Sequence, residues 1–232
     1  MVVRVLKVGL LAGLLAGLLV ALLQQVATTP LILEAETYEA AGSAAPAAHS
    51  HDGHGHAHNH GEGWKPKEGL ERFAFTAIAT IATAVGVSFV LLAAMLLGGA
   101  TIDRRSAVAW AIGGFIAVGL APAAGLAPEL PGSASGDLAG RQAWWIGTAV
   151  ATAIALWMLA RFDRPLAIVG ALLLLIVPHV IGAPQPHAFE SRVPAELMAR
   201  FAARSLIVQG VLWACAGAAI GYLWPRTARP VG

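Results

Sequence analysis

Histidine is concentrated in one short stretch of this sequence, where its side chains could bind a metal ion. Six histidines and one aspartate lie within twelve residues, separated by small residues: His49, His51, Asp52, His54, His56, His58 and His60. Neutral imidazole is a good ligand for zinc, nickel, copper and cobalt(II). A polar linker that binds nothing is the alternative, but the clustering of six of the chain's eight histidines favours metal binding.

This histidine tract (residues 49–60) does not select one metal. By the Irving–Williams order, copper and nickel should bind a flexible set of imidazoles more tightly than cobalt. We therefore expect the tract to collect or buffer metal ions rather than to discriminate between them.

The two remaining histidines, His179 and His187, lie in a proline-rich sequence, PHVIGAPQPH at residues 178–187. His179 is near the end of an apolar segment, where an ionisable side chain is a candidate functional residue. The prolines and Gly182 interrupt helical hydrogen bonding and would leave carbonyl oxygens for a cation. The alternative is that a helix simply ends here and that His179 reaches the membrane interface. Carboxylates elsewhere could complete a mixed N/O metal site, and the candidates are Glu34, Glu36 and Glu129.

Other kinds of chemistry find little support. The chain has no GxxxxGK[ST], HExxH or GxSxG sequence, so it lacks the usual P-loop, zinc-protease and esterase signatures. Only His179 could serve a haem from within a span, and no organic cofactor is expected. The single cysteine, Cys215, cannot form an internal disulfide. A net charge of +2 does not favour nucleic acid as a partner. We expect a protein that is not an enzyme.

The elements that must position these residues are transmembrane helices. The chain of 232 residues is 57% hydrophobic and 12% charged, against about 25% charged residues in a soluble domain. Lipid favours helices because they satisfy their own backbone hydrogen bonds. We predict an all-α integral membrane protein, one polytopic domain over residues 1–232, with about six transmembrane helices and a long His-rich outer loop. The predicted spans are 8–27, 73–97, 107–126, 143–160, 166–182 and 201–224, and residues 40–65 are predicted to be a disordered outer loop.

Two of these segments allow a second interpretation. Arg4 and Lys7 before an apolar run also describe a signal peptide, but Gly9, Gly13 and Gly17 form a small-residue face that favours a retained, closely packed helix. The fifth segment is short and ends in prolines, so it could be a re-entrant or broken helix. Threonines repeat along two other segments (Thr76, Thr80 and Thr83; Thr148 and Thr152), and hydrogen bonding between helices would explain them.

Orientation follows from the distribution of basic residues. With a cytoplasmic N-terminus, every short inner connection carries a pair of basic residues, and most acidic residues lie outside. This is the positive-inside pattern. It predicts both termini in the cytoplasm and the histidine tract outside.

The sequence also resembles a known family along essentially its whole length. The similarity lies in GLLAG (residues 13–17), PLILEAETYE (30–39), the histidine tract, GLER (69–72), LAP (120–122), PELPG (128–132), RQAWW (141–145), PHVIGAPQP (178–186) and PAEL (194–197). These motifs are similar to those of the CbtA family of predicted cobalt transporter subunits. The resemblance implies a multi-pass subunit of the prokaryotic inner membrane, linked to cobalt supply for cobalamin synthesis. It also implies a small single-span partner, CbtB, that carries its own histidines, and five spans rather than six.

The expected function is therefore uptake of a divalent transition metal. Cobalt(II) is the ion that the resemblance implies, and nickel and zinc suit the same ligands. The histidine tract would gather the ion, and a fixed site near His179 with outer carboxylates would receive it. Two alternatives remain open: an exporter, and a membrane-anchored metal-binding or chaperone protein that transports nothing.

Overall fold

Every regular element is a helix in the computed structural model, which describes residues 1–43, 66–134, 136–186 and 191–227. The helices are α1 (Val2–Ala27), α2 (Thr29–Ser43), α3 (Leu70–Leu97), α4 (Arg104–Ala123), α5 (Leu138–Arg161), α6 (Pro165–Ile181) and α7 (Ala195–Arg226). Helix α4 contains one π-helical turn at Ile116–Leu120. Within the described ranges, five helices are long and apolar enough to cross a membrane: α1, α3, α4, α5 and α7. The prediction of an all-α membrane protein is confirmed.

Each of the six apolar segments singled out in the sequence overlaps one of these helices, although residues 124–126 and Gly182 lie beyond the helix ends, and the helices differ in length. Helix α6 has 17 residues, or about 26 Å at the usual rise, against a hydrocarbon core of about 30 Å. It ends at Gly182, whose φ of 84° is readily adopted only by glycine. A sixth span at residues 166–182 stays a prediction, as do the exact membrane limits of the other five.

The connections define two ends of the bundle. At the end that we call the turn end, residues 98–103 join α3 to α4 and residues 162–164 join α5 to α6. At the opposite end, the loop end, lie α2 and the longer connections between α4 and α5 and between α6 and α7. The histidine tract belongs to the connection between α2 and α3. It lies outside the described residues, as does the rest of the predicted loop beyond residue 43.

The core is built where α1 and α7 pack against α3 and α4, and small residues allow close contact there. A Cβ atom at Gly13 would lie 2.4 Å from the Cα atom of Val85 on α3. A Cβ atom at Gly217 on α7 would lie 2.8 Å from the carbonyl oxygen of Ala107 on α4. Lipid offers no hydrophobic drive for helix association, so close packing of this kind must hold the helices together. The small-residue face predicted for the first span is confirmed.

Helix α2 was not predicted, and a second apolar cluster at the loop end explains why it forms. Leu31 and Ala35 of α2 pack against Leu130 of the α4–α5 connection, Val193 of the α6–α7 connection and Leu197 at the start of α7. These partners are far from α2 in the sequence, so no local sequence pattern predicts the contacts. Helix α7, with 32 residues, is about 48 Å long, and its first turns extend beyond the core to join this cluster.

Helices α5 and α6 form a pair that attaches to the rest of the bundle through α4. A Cβ atom at Gly125, just after α4, would meet the indole ring of Trp144 at 2.4 Å. Nearer the turn end, a Cβ atom at Gly113 would meet the side chain of Leu156 at 4.0 Å. Helix α6 is peripheral, and among its residues only Ala171 is buried. Most of its surface is therefore left to lipid.

Candidate functional site

A cleft of about 410 Å³ opens at the loop end, between the two longer connections and the start of α7. Its polar lining comes from three separate parts of the chain. Glu129 and Ser133 belong to the α4–α5 connection, Arg141 to the first turn of α5, and Gln185 to the α6–α7 connection. The cleft thus brings the PELPG, RQAWW and PHVIGAPQP sequences together, although 45 residues lie between the first and the last.

An ion pair crosses this loop-end cleft. The Arg141 guanidinium lies 2.7 Å from the Glu129 carboxylate, and both side chains are partly exposed. A pair of this kind contributes about 1 kcal/mol or less. A divalent cation could therefore displace Arg141 from Glu129 at modest cost.

The cleft also contains a thioether. The Met198 Sδ atom accepts hydrogen bonds from Ser133 Oγ at 3.4 Å and from Ser191 Oγ at 3.7 Å. Thioether sulfur is a soft ligand, so together with Glu129 and Gln185 the cleft offers sulfur, carboxylate and amide donors. Sequence reasoning missed Met198, because one methionine in an apolar helix carries no distinctive signal.

His179 lies on the last turn of α6, and both of its ring nitrogens already face carbonyl oxygens. Nδ1 is 2.9 Å from the Leu175 oxygen one turn earlier, and Nε2 is 3.1 Å from the Ala121 oxygen on α4. A neutral imidazole has one N–H group and can donate to only one of these oxygens, whereas an imidazolium can donate to both. A metal ion that binds either nitrogen must displace a carbonyl oxygen.

Trp144 on α5 contacts His179 and the neighbouring Pro178 at the end of α6. Its ring meets the His179 ring edge to face, with centroids 5.9 Å apart. Its Nε1 donates to the Pro178 oxygen at 3.1 Å, and the Gly182 amide donates to that oxygen as well. The Pro178 carbonyl is thus already in use, although the sequence indicated that this region would leave carbonyls for a cation.

The candidate carboxylates Glu34 and Glu36 lie on α2, away from the loop-end cleft lining. The Glu36 carboxylate pairs with Arg72 at the start of α3, with N–O distances of 3.0 and 2.5 Å. Arg72 also lines a second cleft of about 260 Å³ with Gln24 and Glu68. Glu34 is exposed. The Glu36–Arg72 pair therefore ties α2 to α3 at the point where the connection containing the histidine tract leaves and returns.

The structure does not gather the candidate ligands into one site. Within the described ranges, no three His, Cys, Asp or Glu side chains are close enough together to hold a metal ion. Four predicted ligands are described, namely Glu34, Glu36, Glu129 and His179. The others lie outside the described residues: His49, His51, Asp52, His54, His56, His58, His60 and His187. Metal binding by all twelve stays a prediction.

The threonines follow three patterns. Thr80 Oγ1 on α3 donates to Gln24 Oε1 on α1 at 2.8 Å, as hydrogen bonding between helices predicts. Thr83 instead donates to the Ala79 oxygen of its own helix. Thr148 and Thr152 are buried, and neither hydroxyl has a hydrogen-bond partner within the described part of the chain. Hydrogen bonding between helices was therefore the wrong explanation for Thr148 and Thr152.

Comparison with known protein families gives a match over most of the chain. A family model described as "probable cobalt transporter subunit (CbtA)" matches residues 2–225. No curated protein and no solved structure matches the chain.

Proposed function

The chain belongs to the CbtA family of probable cobalt transporter subunits, and from this premise we propose that it takes up cobalt(II) across the prokaryotic inner membrane in support of cobalamin synthesis. The observation that carries the proposal is the extent of the family match, which covers residues 2–225 of 232. The described part of the chain agrees with it, because five of its helices are long and apolar enough to cross a membrane. In this proposal, the protein binds cobalt(II) and moves it across the membrane without catalysing a reaction.

Charge supports an orientation with the turn end in the cytoplasm. In the described ranges, the ion pairs between arginine and a carboxylate all lie at the loop end: Arg72–Glu36, Arg141–Glu129 and Arg200–Glu196. Arginines at the turn end meet aromatic rings instead. Arg4 lies 4.0 Å from the Trp224 ring centroid, and Arg226 lies 3.5 Å from that of Tyr222. Lys and Arg in short connections are retained on the cytoplasmic side of membrane proteins, where anionic lipid attracts them.

In this orientation, the histidine tract and the loop-end cleft share the outer face. The tract collects metal ions, and the cleft receives them at Glu129, with His179 as the next ligand. Membrane potential favours the inward step. A divalent cation gains about 4.6 kcal/mol per 100 mV, or about three decades of accumulation. Uptake therefore requires no nucleotide-binding motif in this chain.

A subunit implies a second subunit, and the family resemblance points to a small single-span protein with histidines of its own. Nickel and zinc suit the same donors as cobalt(II), so the selectivity of the complex must be measured. Lipid covers the apolar outer faces of the helices, and no organic cofactor takes part in the proposed transport.

Proteoliposomes test the proposal directly. The purified chain, alone and with the partner subunit, is reconstituted with an inside-negative potential, and entry of labelled cobalt is followed. We expect potential-dependent uptake. Tight cobalt binding without entry would favour the metal-binding or chaperone alternative, and release from preloaded vesicles without entry would favour an exporter.

A pair of loop-end glutamates provides a matched variant test in the same assay. Glu129→Gln removes the carboxylate from the cleft, and we expect uptake to fall about tenfold, the effect of losing one charged ligand. Glu196→Gln makes the same chemical change in a glutamate that pairs with Arg200 on the exposed surface of α7. We expect this control to transport normally. Equal rates for the two variants would exclude the cleft from the transport path.

A further inference from the structure

Three buried hydroxyl groups, those of Ser88, Thr148 and Thr152, have no hydrogen-bond partner among the described residues, and the last two share one face of α5. Thr148 is 1% exposed and Thr152 is 0% exposed, and neither hydroxyl has a hydrogen-bond partner among the described residues. A threonine in a helix ordinarily bonds to a carbonyl of the preceding turn, as Thr83 does to Ala79. A buried polar group without a partner costs about 1–3 kcal/mol. Such groups call for an explanation, and an unseen ion or water is one.

The π-helical turn of α4 deprives one carbonyl oxygen, that of Ala117, of its usual amide donors. The Ala121 amide donates to the Ile116 oxygen rather than to that of Ala117. The next residue, Pro122, has no amide hydrogen to donate. Neither amide that would normally pair with the Ala117 oxygen therefore does so, and Ala117 itself is buried. Turns of this kind occur frequently at functional sites.

The Thr152 hydroxyl and the Ala117 carbonyl oxygen lie at about the same depth. Helices α4 and α5 are antiparallel, and their contacts pair Gly125 with Trp144 and Gly113 with Leu156. Interpolation between these two contacts places Thr152 level with Ala117. It also places Thr148 level with the residue whose oxygen faces His179. The Thr152 hydroxyl does not bond to the Ala117 oxygen. The hydroxyl oxygen of Thr152 and the carbonyl oxygen of Ala117 are therefore both available to another ligand.

These groups continue the polar lining of the loop-end cleft toward the centre of the bundle. Arg141, Trp144, Thr148 and Thr152 recur on α5 at helical spacing and share one face. From Arg141 to Thr152 the helix rises about 16 Å, half the thickness of the hydrocarbon core. Closer to the turn end the interface is apolar, because Trp157 packs against Trp110 with ring centroids 6.1 Å apart.

We propose that the transported cation passes between α4 and α5 along this polar face, and that the Thr148 and Thr152 hydroxyls and the Ala117 carbonyl oxygen bind it halfway through the membrane. This inference rests on the proposed transport function. The ligands are neutral oxygens, which replace part of the hydration shell of a small cation. Without a carboxylate among them the cation is held weakly, as a conducting site requires.

Valine substitutions separate transport from folding. Thr152→Val and Thr148→Val keep the shape of the side chain and remove a hydroxyl that has no hydrogen-bond partner among the described residues. We expect each to lower cobalt uptake about tenfold and to leave the unfolding temperature unchanged or raised. Thr83→Val is the matched control, because that hydroxyl is exposed and bonds to its own helix. It should transport at the wild-type rate. Normal uptake by both site variants would overturn the proposed path, as would a loss of uptake that follows a loss of stability.

Cysteine accessibility tests the cation site without measuring transport. In a Cys215→Ala background, we expect the thiol of Thr152→Cys to react with a small, water-soluble reagent. Cobalt should slow the reaction, and sodium at equal ionic strength should not. Thr83→Cys should be insensitive to cobalt. If the wild type takes up no cobalt but cobalt still protects Thr152→Cys, transport fails and the cation site stands. If the wild type transports and Thr152→Cys is unreactive, the path fails and transport stands. Protection by sodium alone would overturn the assignment to the transported cation.

Discussion

An alanine at Gly13 should destabilise the protein by forcing α1 away from α3. Its Cβ atom would lie 2.4 Å from the Val85 Cα atom, whereas carbon atoms in contact are about 3.5–4.0 Å apart. The obstacle is backbone, which cannot rotate out of the way, so the two helices must separate locally by about 1 Å. Overpacking of this degree costs about 1–3 kcal/mol. For a chain of this length, that lowers the unfolding temperature by about 2–12 °C.

Gly86→Ala on α3 is the matched control, because nothing lies within 4 Å of the position of its added Cβ atom. Both substitutions gain the same helix propensity, so the difference between the two variants isolates the effect of the contact. Thermal unfolding of the purified variants in one detergent measures it. If Gly13→Ala unfolds at the same temperature as Gly86→Ala or higher, α1 and α3 do not pack as described.

Three further predictions concern topology and transport. Single cysteines at Ser50 and Ser106, in a Cys215→Ala background, should differ in their reaction with an impermeant thiol reagent. Only Ser50→Cys should be labelled in intact spheroplasts, because the histidine tract is predicted to be outside. Labelling of Ser106→Cys alone would reverse the orientation. Deletion of residues 49–60 should reduce uptake at low cobalt concentration and matter little at high concentration, because a collecting segment matters when metal is scarce. Loss of uptake at every concentration would make the tract obligatory. His179→Gln should abolish uptake and preserve membrane insertion, because an amide cannot supply an imidazole lone pair. Uptake at the wild-type rate would leave His179 a structural role, in which the contact of its Nε2 atom with the Ala121 oxygen links α6 to α4.

Much of the fold follows from local sequence, because lipid imposes a local rule. A segment that must satisfy its own backbone hydrogen bonds becomes a helix wherever about twenty apolar residues follow one another. The packing face of α1, which carries Gly9, Gly13 and Gly17, could also be predicted from the sequence, since close contact between helices in lipid requires small residues at helical spacing. The motifs that identify the family also lie in the sequence itself, so the match over residues 2–225 needed no coordinates.

The candidate site was harder to predict from the sequence, because its geometry depends on contacts between segments that are distant in sequence. Glu129, Arg141 and Gln185 were visible as separate motifs, but only packing of the loop end brings them around one cleft. Helix α2 forms against Leu130, Val193 and Leu197, none of which a local pattern could connect with residues 29–43.

Two features of the membrane interior show where the sequence ceased to be sufficient. The sequence determined that Thr148 and Thr152 share a helix face, since that follows from their spacing alone. Whether a hydroxyl has a partner depends on which atoms of other helices lie within about 3.5 Å, and only the tertiary structure decided that these two have none among the described residues. Likewise, Pro122 marked the loss of one amide donor. Only the packed helix, with the Ala121 amide turned to the Ile116 oxygen, decided that the buried Ala117 carbonyl would lose its other usual donor.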